Sequence, residues 1–107
     1  MIVDDEHFNQ LALKIILGSF GIDNLDQRCE CVDNGQKALN LVMKDVMENR
    51  LGLSSFDLIL MDCQMPIMDG YESTSLIREF MYENEIDQPI IIGITGHTES
   101  SYVKKSI

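Results

Sequence analysis

Leu58-Ile59-Leu60-Met61 is a continuous apolar run that stops at an aspartate, Asp62. A run this short and this uniformly apolar suits a strand buried on both faces, and such strands belong to parallel sheets covered by helices. Other segments follow the same design. Met1–Val3 stops at Asp4 and Asp5, Cys29–Val32 precedes an Asn34-Gly35 turn, and Ile90–Ile94 opens after Pro89 and ends at Thr95. Between these runs the apolar spacing changes from continuous to helical. Phe8, Leu11, Ala12, Ile15 and Ile16 form one inward stripe, closed by Gly18 and Gly21. Ala38, Leu39, Val42, Met43, Val46 and Met47 form a second, and Leu76, Ile77, Phe80 and Met81 a third. Thr98 is placed to cap a last helix with Tyr102, Val103 and Ile107 on its inner face. The stretch from Met43 to Phe56 reads as an extended second helix or a surface insertion. The order βαβαβαβα predicts one α/β domain with a doubly wound parallel sheet and right-handed crossovers.

All strands of a parallel sheet point the same way, so the residues that end them gather at one edge, where such sheets bind ligands. Here those residues are Asp4, Asp5, Asp62 and Thr95. Carboxylates about 4 Å apart repel by on the order of 4 kcal/mol per pair at an effective dielectric near 20. Such a cluster needs a cation or a shared proton. Oxygen donors without His or Cys favour a hard ion such as Mg²⁺, which keeps waters and leaves room for phosphate oxygens. A carboxylate can also accept a phosphoryl group as an acyl phosphate, and a hydroxyl such as that of Thr95 can hydrogen-bond its oxygens. Taken singly, Asp4 and Asp5 also read as a solvated cap on the first helix, and Thr95 as an ordinary strand residue. Their convergence carries the argument.

Charge narrows the partners. The 107 residues hold 18 acidic and 8 basic side chains, a formal net charge of -10. That balance argues against direct nucleic-acid binding and against contact with an anionic membrane. Cys29, Cys31 and Cys63 form neither a disulfide framework nor a zinc pattern, and they read as small apolar residues in or beside strands. No apolar run reaches the roughly 18 residues of a membrane span. The N-terminus has neither a basic region nor an apolar signal core. A reducing, cytoplasmic setting is expected.

Four stretches in order give the sequence a resemblance to the receiver domains of two-component signalling. Val3–Glu6 (V-D-D-E) resembles the acidic pair after the family's first strand, and Asp33–Leu39 (D-N-G-Q-K-A-L) its second turn and helix. Asp57–Glu72 (D-L-I-L-M-D-C-Q-M-P-I-M-D-G-Y-E) is similar to its phosphoacceptor segment, and Pro89–His97 (P-I-I-I-G-I-T-G-H) to its fourth strand with the switch hydroxyl. The resemblance implies a flavodoxin-like receiver fold over residues 1–107. It implies that Asp62 takes a phosphoryl group from a phosphohistidine on a histidine kinase or histidine phosphotransfer protein. Mg²⁺ would be held by Asp5, by Asp4 directly or through water, by Asp62 and by the backbone carbonyl of Gln64. Thr95 would turn toward the phosphoryl group as the switch. Met65, Pro66, Met68, Asp69 and Gly70 would shape the adjoining loop, with Gly70 meeting a geometry that a Cβ would hinder. Chemistry would be limited to self-phosphorylation and autodephosphorylation, so the chain is not expected to be an enzyme in its own right. The wording of the Asp62 segment resembles receivers of hybrid histidine kinases.

The family pattern continues with a fifth strand, a lysine just after it and a fifth helix. The sequence stops 12 residues after Thr95. Lys104 and Lys105 come too early for the lysine and fall in the expected last helix. The chain is therefore expected to be an incomplete receiver, a fragment of a longer protein, lacking that strand and helix. Its Ile90–Ile94 strand is expected to be an exposed edge, prone to strand exchange or homodimer formation. Two other functions compete. The missing lysine favours a phosphate-independent receiver-like interaction module. A Mg²⁺-dependent hydrolase with an aspartyl nucleophile would need a general acid and a substrate cap, and neither is evident.

Overall fold

The computed structural model describes residues 1–49 and 54–94, and the backbone of 105–106. Among the described residues, nine elements follow in order: β1 (Ile2–Val3), α1 (His7–Ser19), α2 (Leu25–Arg28), β2 (Cys31–Val32), α3 (Gly35–Glu48), β3 (Leu58–Asp62), α4 (Gly70–Glu83), β4 (Ile90–Ile94) and β5 (Lys105–Ser106). The sheet order is β2-β1-β3-β4-β5, and the first four strands are parallel. This is the expected doubly wound arrangement. The chain steps outward from β1 to β2, then crosses back over β1 to β3, which makes β1/β3 the place where the winding reverses.

Residues of alternate parity along the strands serve the two faces. One face carries Val3, Ile59, Met61 and Ile91, which pack with Ala38, Val42 and Val46 of α3 and with Ile77 and Met81 of α4 in a single core. The other presents Ile2 and Leu60, also buried, on the side where the right-handed β1–β2 crossover carries α1. The helices start at caps written in the sequence. Asn34 accepts the N–H of Lys37 at 2.8 Å, and Asp69 accepts that of Glu72 at 2.8 Å.

Three expectations are corrected. The inward stripe expected of α1 faces outward: Phe8, Leu11, Ile15 and Ile16 are exposed, and the one buried residue of the helix is Gln10. The segment Leu11-Ala-Leu-Lys-Ile-Ile-Leu17 is apolar on several sides, so periodicity alone does not choose which line meets the sheet. Cys29 lies outside β2 and closes the short helix α2, which the apolar pattern did not reveal. Lys105 sits in a strand rather than in a last helix. β5 pairs antiparallel with β4, Ile92 opposite Ser106 and Gly93 opposite Lys105, so the parallel sheet ends at β4 but its edge is covered over those two residues. The expected cap Thr98 and the inner face Tyr102, Val103 and Ile107 lie outside the described residues. Helix α3 ends at Glu48, with Asn49 as its cap.

Candidate metal and phosphoryl site

β1 and β3 run side by side with Val3 opposite Met61. The next residue on each strand is an aspartate, so the register alone brings Asp4 beside Asp62. Asp5 follows on the turn into α1. One carboxylate oxygen from each of Asp4, Asp5 and Asp62 lies within 4.8 Å of the others. The group sits at the C-terminal ends of the strands, at the reversal of the winding, as the sequence predicts.

Asp4 is almost fully buried, Asp62 half-buried and Asp5 exposed. Burial pushes the Asp4 carboxyl up, and the Asp5 charge adds to this; the N–H of Glu6, at 3.0 Å from Oδ1, and the amide of Asn9 pull it back down. Asp62 is pushed up to about 6, first by burial and then by the charges of Asp4 and Asp5, against the N–H of Gln64. That N–H reaches Asp62 Oδ1 at 3.1 Å. The site is therefore a partly desolvated negative pocket whose charges oppose each other. Among the described residues, no His or Cys joins the group. Hard oxygen donors at this spacing fit a Mg²⁺ ion, which would remove the repulsion that raises Asp62.

The loop from Cys63 to Asp69 is tied down on both sides. Cys63 N–H donates to Ile94 O at 3.0 Å, Gly70 N–H to Cys63 O at 3.2 Å, and Gly35 N–H to Met68 O at 3.2 Å. Both glycines are required by close approach. A Cβ on Gly35 would lie 2.5 Å from Met68 O, and one on Gly70 would overlap the Asp62 carbonyl. In the middle of the loop, Ile67 has φ 73°, and Met68 N–H closes onto Pro66 O at 2.8 Å. This is a γ-turn of the strained, positive-φ kind, centred on a β-branched residue. Sequence reasoning passed over Ile67, since nothing in M-P-I-M-D-G marks the turn.

Thr95 lies outside the described residues. The residue before it, Ile94, is in register with Asp62. Gln64 is exposed beside the carboxylates, and the contact it makes with them is through its N–H. A cavity of about 540 Å³ lies at the opposite ends of the strands, lined by Met1, Leu25, Arg28, Phe56 and Leu58 among others. It shares no residue with the acidic group.

The sequence model of the response regulator receiver domain matches residues 1–107. Histidine kinase CKI1 of Arabidopsis thaliana is 33% identical over 105 residues, which is 94% of this chain and 9% of that protein. Hybrid signal transduction histidine kinase A of Dictyostelium discoideum is 32% identical over 104 residues, 97% of this chain and 4% of its own length. The crystal structure of the CKI1 receiver domain complexed with Mg²⁺ and BeF₃⁻ superposes with a TM-score of 0.76 at 32% identity, covering 94% of this chain and 66% of that one. Among the described residues, no helix is long and apolar enough to cross a membrane.

Proposed function

The chain belongs to the response regulator receiver domain family of two-component signalling, and from that premise we propose that Asp62 accepts a phosphoryl group from a phosphohistidine. The observation that carries this reading is the meeting of three carboxylates within 4.8 Å at the strand ends. An Asp62 oxygen attacks phosphorus in line with the scissile N–P bond. The bond electrons leave with the imidazole, which takes up a proton, and an acyl phosphate remains on Asp62. The hydrogen bond from Gln64 N–H to Oδ1 holds the carboxylate and leaves its other oxygen for attack. Asp4, Asp5, Asp62 and the Gln64 carbonyl would hold Mg²⁺, which offsets the charge gathered on carboxylates and phosphoryl oxygens. BeF₃⁻ has the charge and tetrahedral bonding of a phosphoryl group, so the Mg²⁺- and BeF₃⁻-bound relative supports this reading.

The acyl phosphate carries a charge of roughly -1.5 to -2 where the carboxylate carried a single negative charge, and it brings three acceptor oxygens. Thr95, the residue after Ile94 in the sequence, would turn toward the phosphoryl oxygens as the switch hydroxyl. The output is then a change in the surface after β4 rather than turnover of a substrate. The donor would be a histidine kinase or a histidine phosphotransfer protein, on the cytoplasmic side where such relays draw on ATP. The relatives are histidine kinases, which supports placement within a hybrid kinase.

The test is to incubate the chain with Mg²⁺ and a small acyl phosphate and to read the intact mass beside an Asp62→Asn control. A Mg²⁺-dependent phosphoryl adduct on the parent alone is expected. A folded parent that binds Mg²⁺ and gives no adduct would establish the phosphate-independent interaction module instead.

A further inference from the structure

The sheet-facing surface of α1 carries an unexpected residue. Gln10 is 8% exposed, and it is the one buried residue of α1. Its amide Nε2 donates to the backbone carbonyl of Asp4 at 2.8 Å and to that of Val32 at 3.2 Å. Val32 O also accepts the N–H of Asp4 at 3.0 Å. Both partners are acceptors, so only the nitrogen of the amide can face them, and both its hydrogens are used. The carbonyl of Asp4 is part of the peptide unit that joins Asp4 to Asp5. Gln10 thus grips the unit from which both acids hang and pins it to the end of β2.

We infer that Gln10 is a positioning residue for the cation site, acting through the Asp4–Asp5 peptide. A methionine would fill much the same space between helix and sheet. It would lack the two N–H groups and would leave the Asp4 carbonyl, in a buried setting, without its side-chain partner. The peptide could then rotate, and with it the directions in which Asp4 and Asp5 present their oxygens toward Asp62. A cation would have to restore that alignment on binding. Partners that orient metal ligands typically govern affinity by 10- to 100-fold, a range that suits a clamp on the main chain of two ligands at once. Leu11 and Ile15, which share another side of α1, are exposed, so the grip depends on Gln10 and not on a general burial of the helix.

This inference rests on the Mg²⁺-dependent reading above. The test is a Mg²⁺ titration of the whole chain and of Gln10→Met, followed by the backbone amide signals of Asp5 and Gln64. We expect the half-saturating Mg²⁺ concentration to rise about tenfold or more in the variant. In the parent, the side-chain amide signals of Gln10 should move with the same half-saturation as Asp5. A folded Gln10→Met protein that binds Mg²⁺ as the parent does would overturn the inference, whatever its thermal stability. Should that variant not fold, Gln10 amide signals in the parent that ignore Mg²⁺ would overturn it equally. A parent that does not bind Mg²⁺ at all is a different result, since it removes the proposed function and this inference together.

Discussion

The carbonyl group of Asp62 faces the α-carbon of Gly70 so closely that a side chain on Gly70 would overlap it, and the Gly70 N–H meanwhile holds Cys63 O at 3.2 Å. The start of α4 is thus packed directly against the backbone of the proposed phosphoacceptor. Gly70→Ala must push helix and strand end apart. We expect a loss of about 2 to 3 kcal/mol, the usual scale of overpacking, measured by urea unfolding. The acyl phosphate reaction should slow in the same variant, because the displaced atoms belong to Asp62.

Without metal, Asp62 should weaken the fold as pH rises. Its carboxyl is pushed from 3.8 up to about 6 in the native state, so between those values the folded chain binds more protons than the unfolded one. Stability is then present below pH 4 and is lost as pH rises toward 6. Asp62→Asn removes the effect. After discounting for solvent screening at this half-exposed site, the variant should be more stable than the parent by about 1 to 2 kcal/mol at pH 7, and equal to it below pH 4. Adding Mg²⁺ should close the gap by stabilising the parent. Thermal melts of both proteins across pH, with and without Mg²⁺, check each sign.

Ile67 holds φ 73° at a position that is 82% exposed, so its side chain contributes little packing to offset the backbone strain. Strain of this kind costs about 1 to 3 kcal/mol, and glycine's extra chain entropy about 0.5 to 1 kcal/mol. Ile67→Gly is therefore expected to raise stability by about 1 kcal/mol, read as a higher melting temperature. An unchanged or lowered value would contradict the strain assigned to this turn.

The outward turn of α1 can be tested by a pair of truncations. Ile15 is 65% exposed and Ile77 fully buried, though both lie on apolar stripes of helical spacing. Ile15→Ala should change stability by less than about 0.5 kcal/mol. Ile77→Ala should cost about 2 to 5 kcal/mol. Equal losses at the two positions in denaturant unfolding would contradict the placement of α1.

Legibility followed chemistry more than shape. The strands β3 and β4 could be read because their runs are apolar on both faces and are cut by Asp62 and by Pro89. The stripe of α4 could be read because it has one apolar side, which leaves a single way to meet the sheet; that of α3 was legible only in part, since Ala38, Val42 and Val46 are buried while Met43 and Met47, on the same stripe, are exposed. Helix α1 has apolar residues on several sides, so the sequence did not reveal that Gln10, rather than Leu11 or Ile15, lies inward. The turn at Ile67 was hidden for a related reason: its backbone angle is imposed by the anchors at Cys63, Gly70 and Gly35 and not by its own preference.

By itself, then, the sequence determined the alternation of strands and helices, the parallel sheet that follows from it, and the collection of Asp4, Asp5 and Asp62 at one edge. These depend on period, polarity and chain direction, which are local or topological properties. Tertiary structure alone decided the β1–β3 register that sets Asp4 beside Asp62, the burial that lifts Asp62 to about 6, and the grip of Gln10 on the Asp4–Asp5 peptide. Each of these depends on which surfaces pack together. A pattern of residue types records that packing only where a single apolar side leaves no choice.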